Sequence, residues 1–426
     1  MKRTFLLIMK NMKYYIFRIF PVQKNKIFIQ NHIKNMMYYI FRIFPVQKNK
    51  IFIQNIYGSG YGENPKYIAE EIIKRNLDYK LVWAVKPELS KNFPSSNKIK
   101  TVCYDSISAI FEETTAKIWI DNCRKRRNVR KRKSQYYIQL WHGFPLKKIE
   151  KDVEQNLSPS YVQSAKHDST LIDLFISESK FQSQIYRTSF WYDGEIFECG
   201  SPKHSAIISP DENIKENVKK YFGIAKDKKI VLYAPTFRKN YATDVYDIDY
   251  ELILDGLCKQ TKNQWVFLIK LHPNISDKSI NTKNSERIIS ANNYDDIRDL
   301  YIAADILITD YSSCMFDFSL TNKPVFLYIN DYEEYIKDRG FYFDIYSLPF
   351  TCAANTAELL EKIICFDNEA YLKTLFEFFQ KVGIVRDEKS AEKIIDKIIA
   401  QTQNLNARER TLKKRRFSNN SSNIQR

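Results

Sequence analysis

The chain has 426 residues, 44% hydrophobic and 14% aromatic, with 10 Gly and 13 Pro, which fits globular domains and excludes collagenous or low-complexity architectures. Its net charge of +17 is local: residues 1–55 hold eleven Lys/Arg and no acid, the run Arg124–Lys133 holds eight, and 408–426 holds seven against one Glu, so the remainder is net negative. Seven scattered cysteines without Cys-x-x-Cys spacing argue against a disulfide framework or a zinc site.

No apolar run reaches the roughly 18 residues that a spanning helix needs. The apolar stretch Thr4–Met9 stops at Lys10, too short for a secretory signal, so a cytoplasmic location is expected. Residues 10–31 (KNMKYYIFRIFPVQKNKIFIQN) recur at 34–55 (KNMMYYIFRIFPVQKNKIFIQN), differing only at Lys13 and Met37. Two near-identical copies indicate a tandem duplication rather than a solenoid, which needs more repeats. Only the second copy runs on into Ile56-Tyr57-Gly58-Ser59-Gly60-Tyr61-Gly62 and a helical pattern from Pro65 to Arg75. The first strand is therefore expected at Lys50–Ile56, with the first copy surplus to the fold, disordered or lying on a membrane.

Strand-like runs then alternate with helical patterns. The first series is Lys80–Val85, Ile99–Val102, Lys117–Asp121, Tyr136–Trp141, Leu174–Ser177 and Ile196–Cys199. After a polar connector and helix at Asp211–Gly223 come Lys229–Tyr233, Trp265–Leu271, Arg287–Ile289, Ile306–Thr309 and Val325–Tyr328. Helices are expected at Asp247–Lys259, Tyr294–Ala303, Ser313–Thr321, Ala357–Ile364 and Glu369–Gln380. Repeated strand–helix units favour parallel sheets with right-handed crossovers. They divide into halves at 50–205 and 206–400 with a cleft between, flanked by an extension at 1–49 and a polar basic tail at 401–426 that is expected to be disordered.

The stretch Gln139-Leu140-Trp141-His142-Gly143-Phe144-Pro145-Leu146-Lys147-Lys148-Ile149 puts His142 at the carboxyl edge of a sheet, where open α/β folds bind ligands. In the second half, three strands end on polar groups: Thr236 and Arg238 after Tyr233, His272 after Leu271, and Asp310-Tyr311-Ser312-Ser313 after Thr309. Arginine offers a planar fork for phosphate, and hydroxyls with free N–H groups at a helix start can hold an anion. Taken singly, each has an ordinary explanation, such as a surface Arg or an N-capping Ser. Three on consecutive strands, facing His142 across a cleft, point to a phosphate-binding site.

WHGFPLKKI at 141–149, GSPK at 200–203, LYAPTFR at 232–238, KLHP at 270–273, ADILITDYSSCMFDFSLTNKP at 304–324 and RGFYFD at 339–344 together resemble the CDP-glycerol glycerophosphotransferase family. This family comprises teichoic-acid-type polyol phosphate primases and polymerases of GT-B fold, and the resemblance spans about residues 50–395. It implies an α/β, GT-B-like protein: two Rossmann-like parallel-sheet domains facing across a cleft, with an acceptor domain at 50–205 and a CDP-donor domain at 206–400. The implied reaction moves glycerol phosphate, or a related polyol phosphate, from CDP-glycerol to a hydroxyl of a membrane-linked glycan or polymer and releases CMP, in surface polysaccharide or teichoic-acid-like synthesis. By matched position, His142 is the general base, with a reference pKa of about 6.5 suited to accepting a proton. His272 joins it as the second catalytic histidine. Arg238, His272, Ser312 and Ser313 hold the donor pyrophosphate, with Thr236 and Lys203 on the same side, and Asp310 and Asp317 orient the donor. Trp141, Gly143 and Lys147 lie toward the acceptor.

Two departures bear on substrate identity. The family's Gly-x-Pro-Arg followed by an acid stands here as Gly200-Ser201-Pro202-Lys203-His204-Ser205, and Leu348-Pro349-Phe350-Thr351 replaces the Gly-Pro-Ile that follows RGFYFD. The implied partners are the CDP-activated donor, a lipid-linked glycan acceptor, and an anionic membrane at the inner face of the plasma membrane, met by the basic segments at roughly 1 kcal/mol per residue. No cofactor is implied, and no metal is expected. The alternative enzyme is a GT-B glycosyltransferase using a nucleotide sugar for capsule or lipooligosaccharide synthesis, which would release a nucleoside diphosphate. Nucleic-acid binding, suggested by RKRRNVRKRK, lacks any accompanying recognition helix, zinc finger or RNA-binding aromatic motif.

Overall fold

The computed structural model describes residues 23–94, 97–238, 246, 248–271, 285–338 and 340–403. Among these, strands Gln47–Gln54 (β1), Lys80–Val85 (β2), Ile99–Cys103 (β3), Ala116–Asp121 (β4), Tyr136–Gln139 (β5), Leu174–Ser177 (β6) and Glu195–Glu198 (β7) form a parallel seven-stranded sheet in the order β3-β2-β1-β4-β5-β6-β7. Lys229–Tyr233 (β8), Trp265–Ile269 (β9), Ile288–Ser290 (β10), Ile306–Thr309 (β11), Val325–Tyr328 (β12) and Thr351–Ala353 (β13) form a parallel six-stranded sheet, ordered β10-β9-β8-β11-β12-β13. Inner strands such as β4 and β9 are buried along their whole length, as strands covered on both faces must be. Strand order reverses between β1 and β4 and again between β8 and β11. Such switch points leave a crevice at the carboxyl ends of the strands.

β2, β6, β8, β11 and β12 coincide with the expected strands. β5 stops two residues short of Trp141, because Trp141 turns to φ 51°. β13, a three-residue edge strand, was not expected, since so short a run carries no period. It begins within the departure at 348–351, where Phe350 is buried against Phe316.

The duplicated segment takes two forms. The identical run QKNKIFIQN lies in the helix Gln23–Ile40 at 23–31 and supplies β1 at 47–55. The first copy is thus helical over 23–31, and the expectation for its earlier residues lies outside the described ones. The extension assigned to 1–49 is shorter than expected, because the helix Gln23–Ile40 docks on the first sheet. Met37, Tyr38 and Phe41 are buried beside Phe111, and Tyr38 donates its hydroxyl to Glu113 at 2.6 Å. The position where the copies differ is Met37, which is 0% exposed.

The far boundary shifts as well. A helix at 390–403 returns to the first half, packing Ile394, Ile395 and Ile398 under β1 and β4 with Ile51, Ile53 and Ile118. The tail from 404 lies outside the described residues.

The basic run 124–133 is not the solvated loop its composition suggests. Arg124 pairs with Glu150 and Asp168, Lys125 with Glu113 and Asp121, Arg126 with Asp105, and Lys131 with Asp173. Arg132 donates to the carbonyls of Phe41 and Phe44. Four of the eight charges are neutralised by carboxylates within the fold, and Lys133 is exposed. Among the described residues no helix is long and apolar enough to cross a membrane.

Met37→Lys, which installs the first copy's residue in a sealed core position, is expected to destabilise the chain by at least ~2–5 kcal/mol, as large core truncations do, with ammonium desolvation added. Denaturant unfolding of wild type and variant measures this, and equal midpoints would show that the slot tolerates the charge.

Candidate active site

After β5 the chain forms a strap, residues 141–149, that leaves the first half and plugs into the second. Phe144 and Leu146, each 2% exposed, join the core beneath the second sheet, where the Phe144 ring lies 4.5 Å from that of Phe316. The strap backbone pairs with 340–342: Lys148 N donates to the Gly340 carbonyl at 2.8 Å and Tyr342 N to the Leu146 carbonyl at 2.9 Å. His142 is therefore held where the two halves meet.

Its surroundings fix its chemistry. Trp141 stacks on the imidazole, with ring centroids 4.3 Å apart, and its carbonyl accepts from Asn64 Nδ2 at 3.3 Å. His142 Nδ1 lies 2.6 Å from the Asn122 carbonyl oxygen. A carbonyl can only accept, so Nδ1 carries the proton and Nε2 keeps its lone pair. Asn122 is itself fixed, its Nδ2 donating to Asn55 Oδ1 at 2.8 Å and its Oδ1 accepting from Ile56 N at 2.8 Å. These bonds stitch the ends of β1 and β4 together at the switch point. The surrounding protein disfavours the imidazolium, and Lys203 adds to this. Together they lower the His142 pKa from 6.5 against the opposing pull of the Asn122 hydrogen bond and Glu150. His142 as a residue is exposed. A cavity of about 380 Å³ opens in front of it, bordered also by Trp141, Arg124, Lys148 and Glu150.

Gly143 brings the second half's motif into contact. At φ +156° a Cβ there would lie 3.0 Å from Ser313 Oγ, and Gln182 Nε2 holds the Gly143 carbonyl at 3.2 Å. Ser312 and Ser313 are partly exposed just before the helix Cys314–Ser319. Gly143, next to His142, and Ser313, expected on opposite sides of a cleft, lie side by side.

Other expected site residues are placed differently. Asp310 is buried and accepts from the backbone and hydroxyl of Thr236, binding the ends of β8 and β11 together. Arg238 is also buried, pairing with Asp310 at 2.9 Å and Asp331 at 2.6 Å and lying over Tyr311 and Tyr335. Its guanidinium is occupied within the fold and does not present a free fork to phosphate. Lys147 Nζ sits 5.0 Å over the Tyr335 ring, away from the cavity that its neighbour Lys148 borders. His272 lies outside the described residues.

Lys203 and Asp317 also differ from the expectation. Lys203 Nζ is 2.7 Å from Asp317 and 3.4 Å from Glu63, and His204 Nε2 is 2.7 Å from the other Asp317 oxygen. Glu178 stands 3.6 Å from His204 Nδ1. All but the partly exposed Glu63 are buried, so Lys203 serves as an internal cation between the halves rather than a ligand-facing one. Glu63 and Asp317 are the carboxylates that face Lys203. Asn64 adds a further tie, its Oδ1 accepting from Ser201 Oγ at 2.6 Å and from Lys203 N at 3.1 Å. Asn55, Asn64, Asn122 and His204 escaped the sequence reading. The only signal was their position, one residue beyond a strand end, beside GSPK or at the start of a helix.

Residues 36–400 match the family described as CDP-Glycerol:Poly(glycerophosphate) glycerophosphotransferase. A teichoic acid poly(glycerol phosphate) polymerase of Bacillus spizizenii is 29% identical over 80% of this chain and 90% of its own length. A polymerase of the same description from Staphylococcus epidermidis is also 29% identical over 80% of the chain, which spans only 49% of that relative. The solved structure of the wall teichoic acid polymerase TagF superposes with a TM-score of 0.77 at 25% identity, covering 95% of this chain and 99% of that one.

Burial would raise the Asp317 carboxyl, but Lys203 and the hydrogen bond from His204 outweigh it and hold its pKa at about 2. A depressed carboxylate contributes stability that is complete above its unfolded value near 3.9 and is lost as pH falls through the folded value. Asp317→Asn should therefore cost about 3–5 kcal/mol, the usual penalty for stranding a buried partner. The deficit should be full at about pH 5 and shrink toward pH 2. Unfolding of both proteins across that range would refute the account if the gap did not narrow.

Proposed function

The chain belongs to the CDP-glycerol:poly(glycerophosphate) glycerophosphotransferase family, and we propose that it transfers glycerol phosphate, or a closely related polyol phosphate, from a CDP-activated donor to a hydroxyl of a membrane-linked polymer, releasing CMP. The observation that carries this reading is the fixed His142 tautomer, with Nδ1 committed to the Asn122 carbonyl at 2.6 Å and Nε2 available as a base. The acceptor hydroxyl gives its proton to Nε2 as its oxygen bonds to the β-phosphorus of the donor. The bond from that phosphorus to the bridging oxygen breaks, and the electron pair leaves with CMP. Ser312 and Ser313, adjoining Gly143, hold the donor phosphates. Thr236, Asp310 and Arg238 keep that loop in shape from behind, and His272 stays in the reading as a donor-side histidine. Phosphoryl transfer asks mainly for positioning and a stabilised charge.

On this reading the enzyme works at the inner face of the plasma membrane, where a lipid-linked acceptor is met. Met36, Tyr39 and Ile43 are exposed, with Arg42 beside them, and they offer an aromatic and basic surface suited to an anionic interface. Ile43→Asp should weaken flotation with anionic vesicles at low salt, and unchanged flotation would remove this face from the proposal.

Wild type incubated with CDP-glycerol and a lipid-linked acceptor extract should release CMP. His142→Ala should lose about 10²–10⁴-fold of that rate, the range for a general base. Because the lowered pKa keeps the base neutral, activity should fall only below about pH 6.5. A UDP product from a UDP-sugar would instead identify a glycosyltransferase, and a fully active His142→Ala would remove the assigned base.

A further inference from the structure

We propose that the cavity of about 380 Å³ in front of His142 is the subsite for the acceptor's terminal unit, and that it takes a neutral polyol or sugar unit whose hydroxyl is read by Glu150. This rests on the phosphotransfer reading above and adds the chemistry by which the acceptor is recognised. The residues lining the cavity all belong to the first half, whereas the donor serines stand across Gly143 in the second. The volume falls at the small-molecule end of ligand sites, roughly 300–1,000 Å³. It holds one terminal unit, and the rest of a polymer must leave by the mouth.

Glu150 identifies the floor as a built site. It is 4% exposed and stands at φ 56°, a left-handed backbone that residues with a Cβ rarely adopt. Its Oε1 accepts from the Tyr161 hydroxyl at 2.6 Å and from Arg124 Nε at 3.4 Å, while its Oε2, ion-paired with Arg124 Nη2 at 3.3 Å, has no hydrogen-bond partner among the described residues. Neutralising Arg124 does not require this strained carboxylate alone, because Asp168 contacts the same guanidinium at 3.2 Å. A buried carboxylate oxygen without a donor is costly unless something supplies one, and a ligand hydroxyl does so. An anionic group would be repelled by Glu150, so the neutral end enters first. Ile56, Ile149, Val153 and Leu157 contribute apolar surface to the same lining, which suits the C–H face of a polyol or sugar. Lys148 is exposed at the rim, where the acceptor's anionic continuation would pass.

Two variants fill the cavity without touching His142 or Glu150. With full-length protein, CDP-glycerol and a water-soluble alkyl-linked glycerol phosphate dimer as acceptor probe, Leu157→Trp and Val153→Trp should each raise the acceptor KM at least tenfold. Their calorimetric affinity for CDP-glycerol should match wild type. Glu150→Gln should raise the acceptor KM and, because Glu150 favours the His142 imidazolium, move the acid limb of the pH profile to lower pH, and the two Trp variants decide the matter if loss of the Arg124 counter-charge prevents that variant from folding. Acceptor KM values equal to wild type in both Trp variants would overturn the subsite. Absence of CMP release from wild type would count against phosphotransfer instead. In that case, calorimetric binding of the dimer to wild type but not to Leu157→Trp would still support the subsite, and equal binding would overturn it.

Discussion

The burial of Phe144 and Leu146 in the core of the other half is the constraint on which the site depends. His142 belongs by sequence to the first sheet, yet two residues later the chain is committed to the second. Fully burying such a side chain is worth about 1.5–3 kcal/mol each, so the strap is held by its ordinary apolar residues, and the imidazole follows. The backbone bonds to Gly340 and Tyr342 set the strap's register and leave little freedom for the turn between Trp141 and Gly143. Contact between Gly143 and Ser313 then follows from where the two sheets are stapled.

The charged cluster around Asp317 has a different use. Buried ion pairs contribute little net stability, because the cost of desolvation offsets the attraction, but separating their partners is expensive. Lys203 and His204 come from the end of the first half, and Asp317 from the helix after β11. The cluster therefore penalises any arrangement that moves the GSPK segment away from the serine turn. Apolar packing of the strap and ionic pairing at GSPK fix the same two halves from two sides of His142. Asn64 touches both, through the Trp141 carbonyl and the Lys203 amide.

Much of this arrangement was legible in the sequence because strands buried on both faces announce themselves as apolar runs, and because strand-end motifs must lie at a sheet's carboxyl edge. The two-sheet plan, and the placing of His142 and the serine pair just beyond strand ends, could be read in that way. A sequence displays charges without their counter-charges, and the errors share that cause. Arg238, Lys203 and most of 124–133 looked like cations awaiting phosphate or membrane, whereas each has a carboxylate or carbonyl from a distant segment. The asparagines that orient His142 were invisible for a related reason. Asn122 acts on the imidazole through its backbone carbonyl, an atom that every residue carries.

The duplicated segment shows the same limit at the level of secondary structure. QKNKIFIQN is helical at 23–31, whereas at 47–55 its first eight residues form β1, so local propensity cannot distinguish the copies. What distinguishes them is the company available. At 47–55 the run is paired on one side with β2 and on the other with β4, and it leads directly into the turn that supports Asn122. The 24 residues before it deliver Met37 to a sealed core position; the equivalent delivery from the first copy would bring a lysine. A single methionine thus makes one copy the better tenant of the fold, because burying a lone ammonium costs more than the helix or strand preference of the remaining identical residues could recover.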